Sequence, residues 1–408
     1  MEFAPTRTRI DMLTNVDQTN SRTTLDLEDR ARSLIPYIRQ NQMRINAARS
    51  IPEDVFTRLK EAGLLGLIRP RRYGGLELGP DAVLRVGAIL GQGDGSTAWV
   101  YVVLTSHDHL VGLYPESVHE AVWTSRHPAC ASSYIPTGTA VRIDGGYRVS
   151  GKWSFCSGID HSDWLIVGAV TSASAASPPG LHILLLPKSD VEVIDDWEVL
   201  GLCGTGSKSV QVRDQFVPDV RVLRNEDVMA GRTPGGTVHS SALYRSSIWP
   251  LFGFSILAPA TGIVRGAYEA LIAEATERLR AGEPAFTAKK APLQMRLAEV
   301  GACLDAAELL FERGIQETCG RIMRREPLTA ELRVRNRRDQ AFVGRLCRQA
   351  MDLLMGATGG RGIRQENSIQ RALRDVYAIS AHPASSWDSA SINFGSVITG
   401  GPITEPFC

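Results

Sequence analysis

The sequence lacks any cysteine pattern. Its seven cysteines are odd in number and widely spaced, and none forms a CxxC pair. That excludes a disulfide framework and leaves free thiols in a reducing compartment as the simplest expectation. An excess of one charge is missing too: 45 Lys+Arg stand against 44 Asp+Glu, a net charge of +1. No nucleic acid and no anionic membrane surface is expected as a partner. No apolar run approaches the roughly 20 residues needed to cross a bilayer. The polar, mixed-charge start (residues 1–30) lacks the apolar stretch of a secretory signal, so a cytoplasmic protein is expected. Clustered metal ligands are also lacking. The nearest candidate is His107-Asp108-His109, and an i,i+2 pair on a helix points to different faces, so no metal is expected. A dinucleotide fold is excluded as well. Gly204-Thr205-Gly206-Ser207 has no P-loop lysine and no strand-to-helix context, and it reads as a tight turn.

What is present is an ordinary globular composition, 43% apolar and 22% charged over 408 residues, enough for two or three folding units. Periodicity divides the chain into parts. Residues 1–25 are expected to be a mobile N-terminus. Residues 26–128 read as helices: Pro52-Glu53-Asp54 is a helix-start signal, and Val55, Leu59, Leu64 and Leu65 follow at roughly helical spacing. Residues 129–236 read as short strands. Residues 141–144 and 147–150 alternate around Gly145-Gly146, a hairpin signal, and four further Val/Ile/Leu-rich runs follow, as in a small barrel or sandwich. Residues 237–408 read as long helices over 257–280, 293–321, 332–355 and 367–380, with small residues (Ala258, Ala260, Gly262, Gly266, Ala267) suited to a four-helix bundle. The fold class is therefore α+β and mostly α.

Several stretches, in the right order from about residue 30 onward, resemble the acyl-CoA dehydrogenase superfamily. They are residues 56–75 (FTRLKEAGLLGLIRPRRYGG), 151–158 (GKWSFCSG), 275–278 (ATER), 358–362 (TGGRG) and Arg374-Asp375. Within it, the segments DGSTAW (94–99), FCSG (155–158), His161, GTGS (204–207) and RDVYAISAH (374–382) resemble the group D, two-component flavin-dependent monooxygenases. One departure separates the two. Where the dehydrogenases place a catalytic glutamate after the Arg-Asp pair, this chain has Pro383, which cannot take a proton.

The resemblance implies a helical domain, a β-domain and a helical bundle, in that order. It implies an enzyme that takes FADH2 or FMNH2 from a separate NAD(P)H:flavin reductase and reacts it with O2 to a flavin C4a-hydroperoxide. The product is a hydroxylated small organic molecule, an aromatic or heteroaromatic ring first and an amine nitrogen second. The alternative is an FAD enzyme of the dehydrogenase type, oxidising a thioester. A homotetramer is also implied, with each flavin site completed by a neighbour.

The residues carried over are these. Ser157 would accept from the flavin N5–H, against a hydroxyl merely closing its own turn. Phe155 or Trp153, two apart on a strand and so expected on one face, would pack on the ring, against β-domain core. Ser132 and Ser133 would sit at a second flavin-contacting strand end, against a polar turn. Trp99 would line the pocket, against ordinary core. Arg278 would reach the flavin phosphate of a neighbouring subunit. Gly359 and Gly360 would let backbone approach the ligand closely. His382 would be the acid–base group, since imidazole titrates near neutrality.

Overall fold

The computed structural model of the chain describes residues 15–171, 180–247, 249–282 and 290–404. The N-terminal third is helical: α1 (Asn15–Ala48), α2 (Glu53–Glu61), α3 (Pro80–Gly91), α4 (Gly95–Val111) and α5 (Glu116–Trp123). Of the expected mobile N-terminus, residues 1–14 lie outside the described residues, whereas 15–25 are the first turns of α1. Asp94 starts α4: its carboxylate accepts from the Thr97 backbone N–H at 2.8 Å, satisfying a donor that the first turn leaves orphaned.

Among the described residues, seven strands follow: β1 (Cys130–Ile143), β2 (Gly146–Trp153), β3 (Trp164–Thr171), β4 (Gly180–Pro187), β5 (Glu192–Ile194), β6 (Ser209–Pro218) and β7 (Val222–Arg224). The expected hairpin forms, with Ile143 opposite Gly146. Expected barrel or sandwich resolves into a single sheet in the order β5-β6-β2-β1-β3-β4-β7. One face carries Val149, Trp153, Leu165, Val167, Leu184, Val210 and Val212 from β2, β3, β4 and β6 in one core, so the sheet curls around its own side chains. The other face, with Cys130, Trp164, Ile166, Ile183 and Leu185, packs on Leu110, Tyr114, Val118 and Trp123 of the helical part.

Two short helices, α6 (Asn225–Met229) and α7 (Gly235–Val238), lead into the C-terminal part: α8 (Trp249–Arg280), α9 (Lys290–Met323), α10 (Ala330–Thr358), α11 (Ser368–Ser380) and α12 (Trp387–Ile398). Helix α8 corrects the reading of apolar runs. It is long and apolar enough to cross a membrane, yet 67% of its apolar window is buried inside the protein. It is apolar all round because it is the central core helix. Its small residues let α3 approach to backbone contact. A Cβ on Gly262 would fall 1.9 Å from Ala88 O, and one on Gly91 would fall 3.1 Å from Gly262 Cα. This crossing fixes the bundle against α3 and α4, and with them the floor of the site. The six described cysteines are all free thiols.

Candidate active site

Ser157 follows β2, but it is not simply the continuation of that strand. Phe155 has φ 64°, and the Ser157 N–H bonds back to Phe155 O at 2.9 Å. This tight turn breaks the two-residue alternation, so the expectation that Phe155 and Trp153 share a face fails. Trp153 is fully buried in the sheet core and donates its indole N–H to Gly168 O at 2.7 Å. Phe155 is thrown outward, 60% exposed, against Trp197.

The same segment pairs with the GTGS turn. Cys156 N–H bonds Lys208 O and Gly158 N–H bonds Thr205 O, which brings Ser157 opposite Ser207. Ser157 Oγ lies 2.7 Å from Ser207 Oγ, and Ser207 Oγ lies 2.7 Å from Thr205 Oγ1. Thr205 Oγ1 donates to Leu202 O at 2.9 Å, and the Trp99 indole N–H donates to Ser157 Oγ at 3.0 Å. All of these side chains are buried. Two bonds hold the turn in place. Gly204 N–H donates to Ser96 Oγ in the first turn of α4, and Leu202 N–H donates to the buried Asp375 carboxylate of α11. Burial first, then the neighbouring Asp94, push Asp375 up to about 7.

The second serine lies on β1, against α4. Ser132 Oγ is 3.0 Å from His107 Nε2, and His107 Nδ1 is 2.6 Å from Cys130 O. A carbonyl can only accept, so Nδ1 carries the proton. Burial lowers the His107 pKa to about 4, leaving Nε2 bare to accept from the Ser132 hydroxyl. Ser133 is corrected. Alternation along β1 turns it away from Ser132 and toward the sheet core, opposite Val167.

His382 caps the single turn 383–385: its Nδ1 accepts from the Ala384 N–H at 3.1 Å. Arg337 of α10 donates to Ala384 O and Pro383 O and pins the loop. Burial, then the Arg337 charge, lower the His382 pKa to about 4. The ring is therefore neutral with its proton on Nε2, a hydrogen-bond donor to whatever faces it. The base role expected from sequence is not available while the Nδ1 bond stands.

Ring contacts join these groups. His382 lies 6.0 Å from Trp99 and 5.6 Å from Phe252; Phe252 lies 6.0 Å from Tyr134, and Tyr134 lies 5.9 Å from His107. Phe252, Tyr134 and His107 also line an apolar cavity of about 60 Å³, with Val103, Ser106 and Leu110. Sequence reasoning missed Tyr134 and Phe252, weighed His107 only as a metal ligand, and read Thr205 and Ser207 as part of a tight turn near the pocket without assigning them a role. A signal for His107 existed: Trp99, Val103, Ser106, His107 and Leu110 recur at helical spacing along one side of α4.

Arg278 and the glycine turn meet elsewhere. Arg278 lies 3.5 Å from Glu274, whose carboxylate lies 4.0 Å from Arg361 in the turn after α10. Gly359 has φ 62° and ψ −157°, a conformation open to glycine alone. Open space surrounds Gly359 and Gly360 at their Cβ positions. His161 is spent within the fold, bonding Ile51 O at 2.8 Å and stacking on Phe56. These residues fit a reduced flavin. They supply an acceptor hydroxyl for a ring N–H, an uncovered aromatic, and an arginine beside a turn with room for a phosphate.

Comparison with known proteins identifies the family. Residues 27–114 match the acyl-CoA dehydrogenase N-terminal domain and residues 254–387 an acyl-CoA dehydrogenase C-terminal domain. The chain belongs to the acyl-CoA dehydrogenase superfamily. Within it, the chain sides with the flavin-dependent monooxygenases. It is 30% identical over 91% of its length, and 98% of the relative's, to the oxygenase subunit HsaA of a flavin-dependent monooxygenase from Rhodococcus jostii. It is 32% identical, over 94% and 97%, to HsaA of Mycobacterium tuberculosis. It is 30% identical, over 92% and 94%, to the oxygenase component of an FADH2-dependent resorcinol hydroxylase from Rhizobium. The crystal structure of 3-HSA hydroxylase from Rhodococcus sp. RHA1 superposes with a TM-score of 0.90, at 29% identity, over 94% of this chain and 99% of that one.

Proposed function

We propose that this chain is the oxygenase component of a two-component system that hydroxylates a phenolic or related aromatic ring. A separate NAD(P)H:flavin reductase supplies the reduced flavin, FADH2 in preference to FMNH2, in the cytoplasm. The bound flavin supplies the activation of O2. The chain's own residues do the rest. Ser157 and Ser132 offer acceptor oxygens, and His382 offers an Nε2–H to a ring hydroxyl. Trp99, Phe252 and Tyr134 give the aromatic walls and keep water out, which strengthens each of these bonds. Arg278 and the Gly359-Gly360 turn serve a flavin phosphate across a subunit boundary of a homotetramer. The observation that carries this reading is the unbroken run of ring contacts from Trp99 through His382, Phe252 and Tyr134 to His107. An aromatic substrate is the kind such walls take up. Pro383 at the dehydrogenase glutamate position and the oxygenase names of the relatives weigh against thioester oxidation. The test is to mix the protein with chemically reduced FAD or FMN, a panel of substituted phenols and O2. Mass spectrometry should find one phenol gaining a single oxygen. No oxygenated product from any ring or amine, together with bleaching of oxidised FAD by an acyl-CoA, would overturn the reading.

A further inference from the structure

The hydroxyl relay beside Trp99 has a fixed direction. Thr205 Oγ1 lies 2.9 Å from Leu202 O, and a carbonyl oxygen has no hydrogen to give. The single Thr205 hydroxyl proton is therefore committed to Leu202. Toward Ser207, 2.7 Å away, Thr205 can only accept, which commits the Ser207 proton to Thr205. Toward Ser157, again 2.7 Å away, Ser207 can only accept, which commits the Ser157 proton to Ser207. From the other side the Trp99 indole, a donor only, points its N–H at Ser157 Oγ from 3.0 Å. One donated proton and one received leave Ser157 with a single free lone pair and no hydrogen.

From this we infer that Thr205 and Ser207, two residues that need not touch the cofactor, make the site selective for the reduced flavin over the oxidised one. The inference rests on the proposed placement of the flavin N5 edge at Ser157. Reduced flavin carries a hydrogen on N5 and oxidised flavin carries a lone pair there. A free serine hydroxyl would rotate to suit either. A serine whose proton is held by the relay accepts from the first and opposes its lone pair to the second. The relay is well placed to hold its direction: Thr205, Ser207, Ser157 and Trp99 are all buried, and water does not compete for the protons. The backbone bonds Gly158 N–H to Thr205 O and Cys156 N–H to Lys208 O fix the two segments side by side. In a two-component enzyme such a preference lets the oxygenase take its cofactor after reduction and release it once oxidised.

The test measures the affinities of reduced and oxidised flavin separately, by anaerobic and aerobic equilibrium titration, for the wild type and four variants. Thr205→Val removes the terminal acceptor at nearly constant volume, which frees Ser207 to donate back to Ser157. Ser207→Ala frees the Ser157 proton directly. In both, the preference for reduced flavin should fall about tenfold, as expected for one hydrogen bond gained on one form and lost on the other. Thr205→Ser, which keeps the hydroxyl, should keep the wild-type ratio. Ser157→Ala should weaken reduced flavin and also flatten the ratio. If Ser157→Ala weakens reduced flavin but Thr205→Val and Ser207→Ala leave the ratio within about twofold of wild type, the relay has no direction and the inference fails alone. If Ser157→Ala changes neither affinity, the flavin is not at Ser157 and the placement itself fails. Loss of both affinities in equal measure in Thr205→Val would mark Thr205 as structural and also overturn the inference.

Discussion

The imidazole of His382 meets the indole of Trp99 at a centroid distance of 6.0 Å and an interplanar angle of 64°. The two come from opposite parts of the chain, Trp99 from α4 and His382 from the loop after α11. Trp99 also holds Ser157 through its N–H. One indole thus links the group that would face the substrate to the group that would face the flavin.

The first prediction concerns His382. Its Nδ1 caps a backbone N–H, so a variant must keep that bond for the result to bear on chemistry. Asn does so, being a good capping residue. In His382→Asn the melting temperature should stay within a few degrees of wild type. The rate of hydroxylated product should fall about a hundredfold, the usual worth of one positioned hydrogen-bond donor. Oxygen uptake should continue and end in hydrogen peroxide. Because neutral His382 is already set by a pKa of about 4, wild-type product yield should show no break near pH 6.5 from this residue. An unchanged product rate in the Asn variant would remove His382 from the site.

A second prediction follows from the size of the cavity. At about 60 Å³ it is smaller than the roughly 150 Å³ that holds a benzene ring. A ring can enter only if a wall moves, and Phe252 is the lining residue whose ring also contacts His382. Phe252→Ala should widen the range of phenols accepted. It should raise KM for the smallest productive one several-fold, since an aromatic contact worth about 1 kcal/mol is lost. Steady-state kinetics over a series of alkylphenols would show this. The same KM profile as wild type would place the substrate elsewhere.

The order of helices, strands and helices was legible in the sequence because period 3.6 and period 2 are local properties. Val55 and Leu59 declare a helix, and the Gly145-Gly146 turn declares a hairpin, without help from the rest of the chain; Leu64 and Leu65, expected to continue that helix, lie past its end at Glu61. Ser157, Trp99 and His382 came from motif resemblance, and the structure brings those three together. What failed was whatever depended on one backbone torsion or on distant partners. The positive φ of Phe155 separates it from Trp153, and no two-residue periodicity registers that. His107 is defined by Cys130 O and Ser132, 23 and 25 positions away, and sequence spacing carries no such pairing.

The α3–α8 crossing supports a third prediction. Gly262 leaves no room: its Cβ would sit 1.9 Å from Ala88 O and 2.9 Å from Gly91 Cα. Both obstacles are backbone, so neither can rotate away. Gly262→Ala would normally gain helix propensity of about 1 kcal/mol. Here overpacking should outweigh that gain, for a net loss of about 2 kcal/mol or more, read as a lower denaturant midpoint. Gly356→Ala, in α10 with only a distant Arg296 carbon near its Cβ position, is the control and should be neutral or stabilising. Equal midpoints for the two variants would contradict the close crossing.

The last prediction is a pH dependence of stability. Burial lowers the pKa of His107, His109, His239 and His382 to about 4, and of His119 to about 3. In the unfolded chain a histidine titrates near 6.5. As pH falls below about 6.5 the unfolded chain takes up protons that the folded chain refuses, and stability must drop. The loss begins near pH 6.5 and continues to about pH 4, where the folded protein's own histidines begin to charge. Asp375 works in the opposite sense. Its folded pKa of about 7 exceeds the unfolded carboxyl value of about 4, so it disfavours folding as pH rises from 4 to 7. Burial lowers the pKa of His161 and His182 as well and raises that of Asp81, Asp94 and Asp108; seven lowered histidines against four raised carboxyls set the sign, and the melting temperature should fall steadily from pH 7 to pH 5. The pair His119 and His239, with ring centroids 4.7 Å apart, is the sharpest part of the effect, since charging both would place two cations face to face. His239→Phe should therefore flatten the slope between pH 7 and pH 5, while leaving the protein folded at pH 7. A melting temperature that holds level or rises toward pH 5 would show that these rings are protonated, and paired, inside the fold.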